Sequence, residues 1–243
     1  MDFNYEECTA RSHRGGQLYQ IRVADLHPTQ SGVGLDEVNA KAESMRRKSK
    51  EDLTAYLITH PVPIVIGNGN ICYLTDHHHL ARALWDAAQG KNEAGIDQNS
   101  ARVVVEVIYN WSVLNDYNFW KAMHDNRWVY LFDHMGGGPL QPNSLPGHIK
   151  ELRNDPYRGL AWYVRTHFGY DKMPADFAEF QWAQFFRMRM ILDNRLLKNE
   201  REDEEILISK MNEEDRQAII AEAIHLASSA EAAGLPGYVR NAG

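Results

Sequence analysis

The stretch that decides the fold is residues 71–85, which read Ile-Cys-Tyr-Leu-Thr-Asp-His-His-His-Leu-Ala-Arg-Ala-Leu-Trp. Its first part is rich in residues that suit a half-buried strand, and apolar residues at helical spacing follow. The sequence therefore predicts a strand that leads directly into a helix whose first turn carries Asp76 and three histidines. A helix start presents unpaired backbone N–H groups and the positive end of the helix dipole. We therefore expect a phosphate or carboxylate to bind there.

Three interpretations of Asp76, His77, His78 and His79 are open. A metal site is disfavoured because consecutive helical residues point about 100° apart, so three in a row do not face one ion. A capping Asp76 beside surface histidines is the structural alternative. The pattern favours anion binding, with the histidines as proton and hydrogen-bond donors to phosphate. Since Asp76 repels a phosphate unless it holds Mg²⁺ or acts as a base, the pattern favours catalysis over passive binding.

The loop Pro28-Thr29-Gln30 lacks the Gly-Lys-Ser/Thr ending of a Walker sequence. It has the hydroxyl and amide groups that a ligand-lining loop uses, and glycines follow at positions 32 and 34. We therefore predict that this loop lines the ligand site.

The next helix is predicted to begin near Asp36, with Asp36 as its cap. Glu37 is either a partner of the helix dipole or a catalytic base of the site. Lys41 lies one turn further along and is a candidate counter-charge for phosphate.

The rest of the chain shows two patterns. The first part predicts a compact α+β module, and the Asn-Gly pair at 68–69 is typical of a hairpin turn. Its predicted strands are 18–23, 62–66, 71–74 and 101–109. It has three predicted helices: the first begins after residue 34, the second covers 52–59, and the third follows strand 71–74 and ends near residue 90. The second part predicts helices over 111–125, 156–168, 174–197 and 213–233, with an irregular loop over 136–146. The predicted organisation is a lead-in over 1–17, the module over 18–110 and a helical extension over 111–243.

Aromatic residues recur at helical spacing in the helical extension, and we interpret them as packing core rather than a base-stacking platform. They are Trp162, Tyr163, Phe177, Phe180, Trp182, Phe185 and Phe186.

The chain has 243 residues and a formal net charge of -7, without a long run of lysine and arginine. Duplex-binding proteins usually present a basic face, so small anionic or nucleotide ligands are favoured over nucleic acid. The sequence contains no transmembrane candidate and begins without a secretory signal, so we expect residence in the cytoplasm and no membrane partner. Cys8 and Cys72 have no metal-type spacing and indicate no disulfide framework, and Cys72 is expected to be a small buried hydrophobe.

Several separated motifs, together with the stretch 71–85, resemble the ParB-like putative nuclease family in the same order. They are Leu-His-Pro-Thr-Gln at 26–30, Leu-Pro-Gly-His-Ile at 145–149, Asp-Pro-Tyr-Arg-Gly-Leu-Ala-Trp at 155–162, and Glu-Phe-Gln-Trp-Ala-Gln-Phe-Phe-Arg at 179–187. The similarity runs from about residue 18 to residue 240. It implies a ParB/sulfiredoxin-like fold, with a mixed-sheet N-terminal module and a mainly helical C-terminal half.

Members of this wider fold bind nucleotides such as ATP, ADP or CTP, with a phosphate at the helix start. Related free serine kinases carry Asp-Gly-His-His-Arg there, so His77 occupies the glycine position and Leu80 the arginine position. The resemblance therefore implies that another cation, such as Arg82, Lys41 or Arg47, completes phosphate binding. No cysteine stands at the sulfiredoxin position, so thiol repair is not expected.

The resulting expectation is an enzyme of the hydrolase or phosphotransferase type, performing phosphodiester hydrolysis or phosphoryl transfer. Asp76 holds Mg²⁺ or acts as base, His78 and its neighbours contact phosphate, and Glu37 is a second candidate base. The alternatives are a nucleotide-dependent kinase of a free amino acid and a non-catalytic nucleotide-binding switch or scaffold.

Overall fold

A computed structural model describes residues 3–13, 15–192 and 206–240 of the chain. In chain order the strands are β1 (Leu18–Arg22), β2 (Leu26–His27), β3 (Gly32–Val33), β4 (Val62–Ile66), β5 (Cys72–Leu74), β6 (Arg102–Asn110) and β7 (Arg153–Asn154). The α-helices are α1 (Leu35–Arg46), α2 (Lys50–Ile58), α3 (His78–Ala87), α4 (Asp116–Asp125), α5 (Pro156–Thr166), α6 (Ala178–Arg187) and α7 (Glu213–Ala227). The predicted α+β class is confirmed.

The described residues fall into two compact units. Residues up to 32 together with 38–153 form the first unit, and residues 33–37 together with those from 154 onward form the second. The sequence placed a boundary near residue 110, whereas α4 and the loop that follows it belong to the first unit. The reason is packing, because Phe119 of α4 lies against Tyr73 of β5 with ring centroids 4.9 Å apart.

A five-stranded mixed sheet in the order β1-β6-β4-β5-β2 organises the first unit. The pairs β1–β6 and β4–β5 are antiparallel, and the pairs β4–β6 and β2–β5 are parallel. Val62, Ile64, Val65 and Ile66 of β4 are fully buried, as expected for a central strand covered on both faces. Strands β3 and β7 form a separate two-stranded sheet.

The turn predicted from the Asn-Gly pair is present between β4 and β5. Gly69 has φ +69°, a left-handed conformation that glycine adopts without a steric penalty. The short strand β5 then leads after three residues into α3, so the predicted order of strand and helix is confirmed. Asp76 and His77 precede the helix instead of lying in its first turn, because His77 adopts a left-handed conformation at the N-cap. Leu80, Leu84 and Trp85 are buried along one side of α3.

Helix α4 begins later than predicted. Asn115 caps it by accepting a hydrogen bond from the backbone N–H of Asn118 at 2.9 Å, so the helix starts at Asp116 rather than at Trp111. Trp111 instead stacks between Tyr109 and Trp128, with ring centroids 4.9 and 5.7 Å away. Trp111 therefore belongs to this aromatic cluster and not to α4.

The second unit is built around α5, α6 and α7. Trp182, Phe185 and Phe186 of α6 are buried among residues of α5 and α7, which confirms the packing role predicted for these three aromatic residues. Helix α6 begins later than the predicted residue 174 because Phe177 adopts a left-handed φ of 53° at its start, and it ends at Arg187. The part of that prediction beyond residue 192 lies outside the described residues.

Cys8 and Cys72 are free thiols, yet their sulfur atoms lie 3.9 Å apart in the first unit. Cys72 is buried, as expected. Its contact with Cys8, which lies 64 positions earlier in the sequence, was not predicted. Within the described part of the chain, no helix has the length and apolar character needed to span a bilayer.

Replacing Phe119 by alanine tests the packing of α4 on the sheet. Phe119 is 2% exposed, so Phe119→Ala is expected to lower the free energy of unfolding by about 3–5 kcal/mol through lost burial and the cavity left behind. The control is Tyr117→Ala on the same helix, where the side chain is 77% exposed and a change within about 0.5 kcal/mol is expected. Urea denaturation measures both, and similar losses in the two variants would contradict this packing.

Candidate functional site

The predicted ligand loop and the predicted helix start meet in the first unit. The backbone N–H of Thr29 donates a hydrogen bond to Nε2 of His78 at 3.0 Å. The Thr29 hydroxyl donates to the carbonyl oxygen of Leu74 at 2.7 Å, at the end of β5. Thr29 thus connects the loop to both ends of the β5–α3 junction.

His78 is a neutral, interior histidine. Because a backbone N–H only donates, Nε2 must accept and the ring proton lies on Nδ1. His78 is 4% exposed, and burial lowers its pKa to about 3, with smaller contributions from His79 and His77. His78 therefore carries no charge near neutral pH, and its contacts favour a positioning role for the loop at the helix start.

The loop residues are themselves enclosed. Thr29 and Gln30 are buried, and the Gln30 amide donates to the carbonyl oxygen of Gly32 at 2.7 Å. Pro28 lines a neighbouring cavity together with His27 and Tyr73. The loop therefore shapes the surroundings of the helix start through its backbone and its packing.

The backbone just before α3 has a special conformation. His77, the N-cap residue, has φ 62° and ψ 24°, which is the left-handed region that glycine adopts readily. This is the position at which the related kinases carry glycine. The exposed side chain of Asp76 accepts a hydrogen bond from the His77 backbone N–H at 2.6 Å. His77 and His79 are half-buried on either side of His78.

The cations considered for phosphate binding differ in their surroundings. Leu80, at the arginine position of the related kinases, is buried in the core, where a guanidinium would lose its hydration. Arg82 pairs with Asp86 at 3.0 Å and donates to the carbonyl oxygen of Leu152 at 2.5 Å. These contacts favour a structural role for Arg82.

The basic cluster at the end of α1 lies beside the other end of α3. Arg46 donates to the backbone carbonyl of Asp86, one residue before α3 ends, at 2.8 Å. Arg47 is exposed and pairs with Glu43 at 3.4 Å. Lys41, which lies earlier on α1 and is half-buried, stays the predicted counter-charge.

Glu37 belongs to a buried ion-pair cluster in the second unit. Its carboxylate lies 3.2 Å from Arg158 and 3.8 Å from Arg165. Glu179 pairs with the same two arginines, at 3.1 Å and 3.3 Å. Burial disfavours the charge on Arg158, but Glu179 and Glu37 nonetheless hold its pKa above the ordinary value.

Asp36 does not act as the predicted cap. It lies in the first turn of α1, and its carboxylate accepts hydrogen bonds from the backbone N–H groups of Ile208 and Ser209 at 3.0 and 2.9 Å. A Cβ on Gly159 would lie 3.1 Å from Asp36 Oδ2, a close approach that the glycine avoids. The Asp36 side chain therefore connects the start of α1 to a distant segment of the second unit instead of capping its own helix.

Two motifs without a predicted role converge in the second unit. Asp155 caps α5 by accepting from the backbone N–H groups of Tyr157 and Arg158, and it pairs with Arg187 of α6 at 2.7 Å. Arg158 and Glu179, from the same two motifs, meet in the cluster around Glu37. Sequence spacing did not predict these pairs, because the partners come from separate segments and only tertiary packing brings them together.

No group of three or more histidine, cysteine, aspartate or glutamate side chains is arranged to hold a metal ion within the described ranges. Asp76 is a single exposed carboxylate. Mg²⁺ is commonly held by one or two carboxylates together with substrate phosphates and water, so Asp76 fits such a site only with a phosphate ligand present.

Comparison with known proteins identifies the family. A family model described as "Putative ParB-like nuclease" matches residues 19–188, which include the ligand loop, the start of α3 and the Arg158–Glu179 motifs. The chain belongs to this family of putative ParB-like nucleases. This ParB-like protein is also similar to a solved structure, protein Atu1540 from Agrobacterium tumefaciens, with 32% sequence identity and a TM-score of 0.71. That similarity covers 92% of this chain and 98% of the other. No curated protein matches the sequence significantly.

The buried His78 predicts a specific dependence of stability on pH in this ParB-like protein. The unfolded state binds a proton on His78 below about pH 6.5, whereas the folded state does so only below about pH 3. The contribution to stability is thus complete above about pH 6.5 and falls by up to about 1.4 kcal/mol per pH unit on acidification. His78→Gln keeps an acceptor for Thr29 but does not titrate, so it should lose less stability between about pH 7 and pH 5. Equal slopes in urea denaturation of the two proteins would contradict the assignment.

The buried cluster predicts a large cost for removing Arg158. Arg158→Met leaves the carboxylates of Glu37 and Glu179 with Arg165 alone, and the expected loss is about 3–5 kcal/mol of unfolding free energy. Arg189→Met is the control, because the pair of Arg189 with Glu231 is partly exposed and is expected to contribute no more than about 1 kcal/mol. Chemical denaturation measures both, and a loss below that of the control would show that the cluster is not stabilising.

Proposed function

We propose that the protein binds a nucleotide or another phosphate ligand at the start of α3 and performs phosphodiester hydrolysis or phosphoryl transfer there. The supporting observation is the first turn of α3. Its N-cap residue, His77, makes no capping hydrogen bond through its side chain. The positive end of the helix dipole lies at this turn, and it favours the negative charge of a phosphate.

The proposed roles follow from the contacts of each residue. The exposed Asp76 holds Mg²⁺ together with the ligand phosphate, or acts as a base toward the attacking group. Bound Mg²⁺ would neutralise charge that develops on the phosphate oxygens. His77 and His79 contact the phosphate, and the neutral His78 positions the loop through Thr29. Lys41 supplies positive charge.

A nucleotide-dependent kinase of a small molecule is the second candidate. The formal net charge of -7 favours it, because a basic face is the usual requirement for binding a polynucleotide. A small acceptor such as a free amino acid does not need that face.

The test is a thermal-shift panel of ATP, ADP, CTP, single-stranded DNA and RNA with and without Mg²⁺, followed by product analysis with phosphorus NMR. Nuclease activity releases nucleotides from the polymers without an added acceptor. Kinase activity consumes ATP or ADP only when an acceptor such as serine is present. A rise in melting temperature without any product indicates a binding switch, and no shift with any compound would refute the proposal.

Asp76→Asn should reduce turnover by at least about 100-fold, because the amide neither holds Mg²⁺ well nor accepts a proton. The amide oxygen still accepts the hydrogen bond from the His77 backbone, so the melting temperature should stay close to that of the wild type. Asp52→Asn is the matched control, since Asp52 is an exposed carboxylate in the first turn of α2. Full activity of Asp76→Asn, or equal loss in both variants, would contradict the role of Asp76.

His77→Gly separates the side chain from the backbone at the helix start. Glycine adopts the left-handed conformation of position 77 without strain, so the backbone is retained. A several-fold loss of phosphate affinity with an unchanged melting temperature would assign the contact to the imidazole. Unchanged affinity, measured by isothermal titration calorimetry, would assign binding to the backbone N–H groups and would contradict the proposed contact.

A further inference from the structure

A cavity of about 460 Å³ lies in the first unit beside the β2–β5 edge of the sheet. Its wall includes His27 and Pro28 from one motif of the family and Leu145 and Pro146 from another. The wall contains none of the residues 76–79, so this cavity is separate from the proposed phosphate site at α3. The volume lies within the range typical of small-molecule sites.

The wall of this cavity carries a negative charge. Asp116 is the acidic residue of the wall, and among the described residues that form it there is no lysine or arginine. Asp116 is exposed, and Oδ1 accepts a hydrogen bond from the Asn68 amide at 3.1 Å. Burial lowers the pKa of His27, so its ring adds no positive charge at neutral pH. The cavity therefore disfavours a phosphate and favours a cation.

Aromatic rings complete the wall. Tyr73 and Trp120 meet edge to face with ring centroids 5.2 Å apart, and Tyr73 also contacts His27 at 5.7 Å. Both Tyr73 and Trp120 are half-buried, so each ring presents part of its surface to the cavity. Rings beside a carboxylate are the usual means of binding an ammonium group that carries an apolar body.

We propose that this cavity binds a small organic ammonium ion, whose charge lies near Asp116 and whose apolar body contacts Tyr73, Trp120 and the prolines of the wall. The site differs in ligand chemistry from the phosphate site at α3, and the inference does not depend on catalysis or on phosphate binding there.

The experiment titrates the full chain with benzylammonium chloride, and in parallel with benzyl alcohol and sodium benzoate, which have nearly the same shape but are neutral or negative. The indole N–H signal of Trp120 in a ¹⁵N–¹H NMR spectrum, assigned through Trp120→Phe, reports binding. Benzylammonium is expected to bind about tenfold more tightly than benzyl alcohol, since both the carboxylate and the rings favour the charge. Benzoate is expected to bind more weakly than either.

Asp116→Asn should reduce the affinity for benzylammonium about fivefold and leave benzyl alcohol unaffected, because asparagine still accepts the hydrogen bond from Asn68. Asp125→Asn, at the opposite end of α4 and outside the cavity wall, is the matched control and should change neither affinity. In the wild type, added salt should weaken benzylammonium binding alone, which tests the charge without any variant.

Three outcomes would overturn the proposal. They are an unmoved Trp120 signal with benzylammonium, equal or tighter binding of benzyl alcohol or benzoate, and equal effects of Asp116→Asn and Asp125→Asn. Each is independent of the phosphorus NMR assay, so failure of this site is distinguishable from failure of the phosphate site.

Discussion

The hydrogen bond from the Thr29 backbone to His78 is the constraint on which the candidate phosphate site depends. It joins a loop and a helix start that are 49 positions apart in sequence. The bond requires an unprotonated Nε2, and burial maintains that state by lowering the pKa of His78. One histidine of the three thereby has a positioning role, while His77 is the N-cap of α3 and His79 lies in its first turn.

The second unit uses a different kind of buried polar group. Glu37, Arg158, Arg165 and Glu179 are charged groups that offset one another's loss of hydration, since each carboxylate lies near two guanidiniums. Such a cluster tolerates the loss of a member poorly, because the remaining charges stay buried. The family motifs in α5 and α6 are thus explained by packing and charge pairing within this unit.

The first unit contains two places that favour ligands of opposite charge. The start of α3 presents backbone N–H groups and a positive dipole end, which favour an anion. The cavity near Asp116 presents a carboxylate and aromatic rings, which favour a cation. Strand β5 contributes to both places, because Tyr73 lines the cavity and Leu74 accepts the hydrogen bond from Thr29.

The sequence alone determined the features that depend on neighbours in the chain. The strand over 62–66, the turn at Gly69, the entry into α3 and the family followed from local turn chemistry, periodicity and motif order. Tertiary structure decided the partners of His78, Glu37 and Asp36, the contact of Arg82 with Leu152, and the approach of Cys8 to Cys72. These depend on contacts between segments far apart in sequence. The physical reason is that a side chain's burial and hydrogen-bond partners are set by packing, which spacing along the chain does not encode.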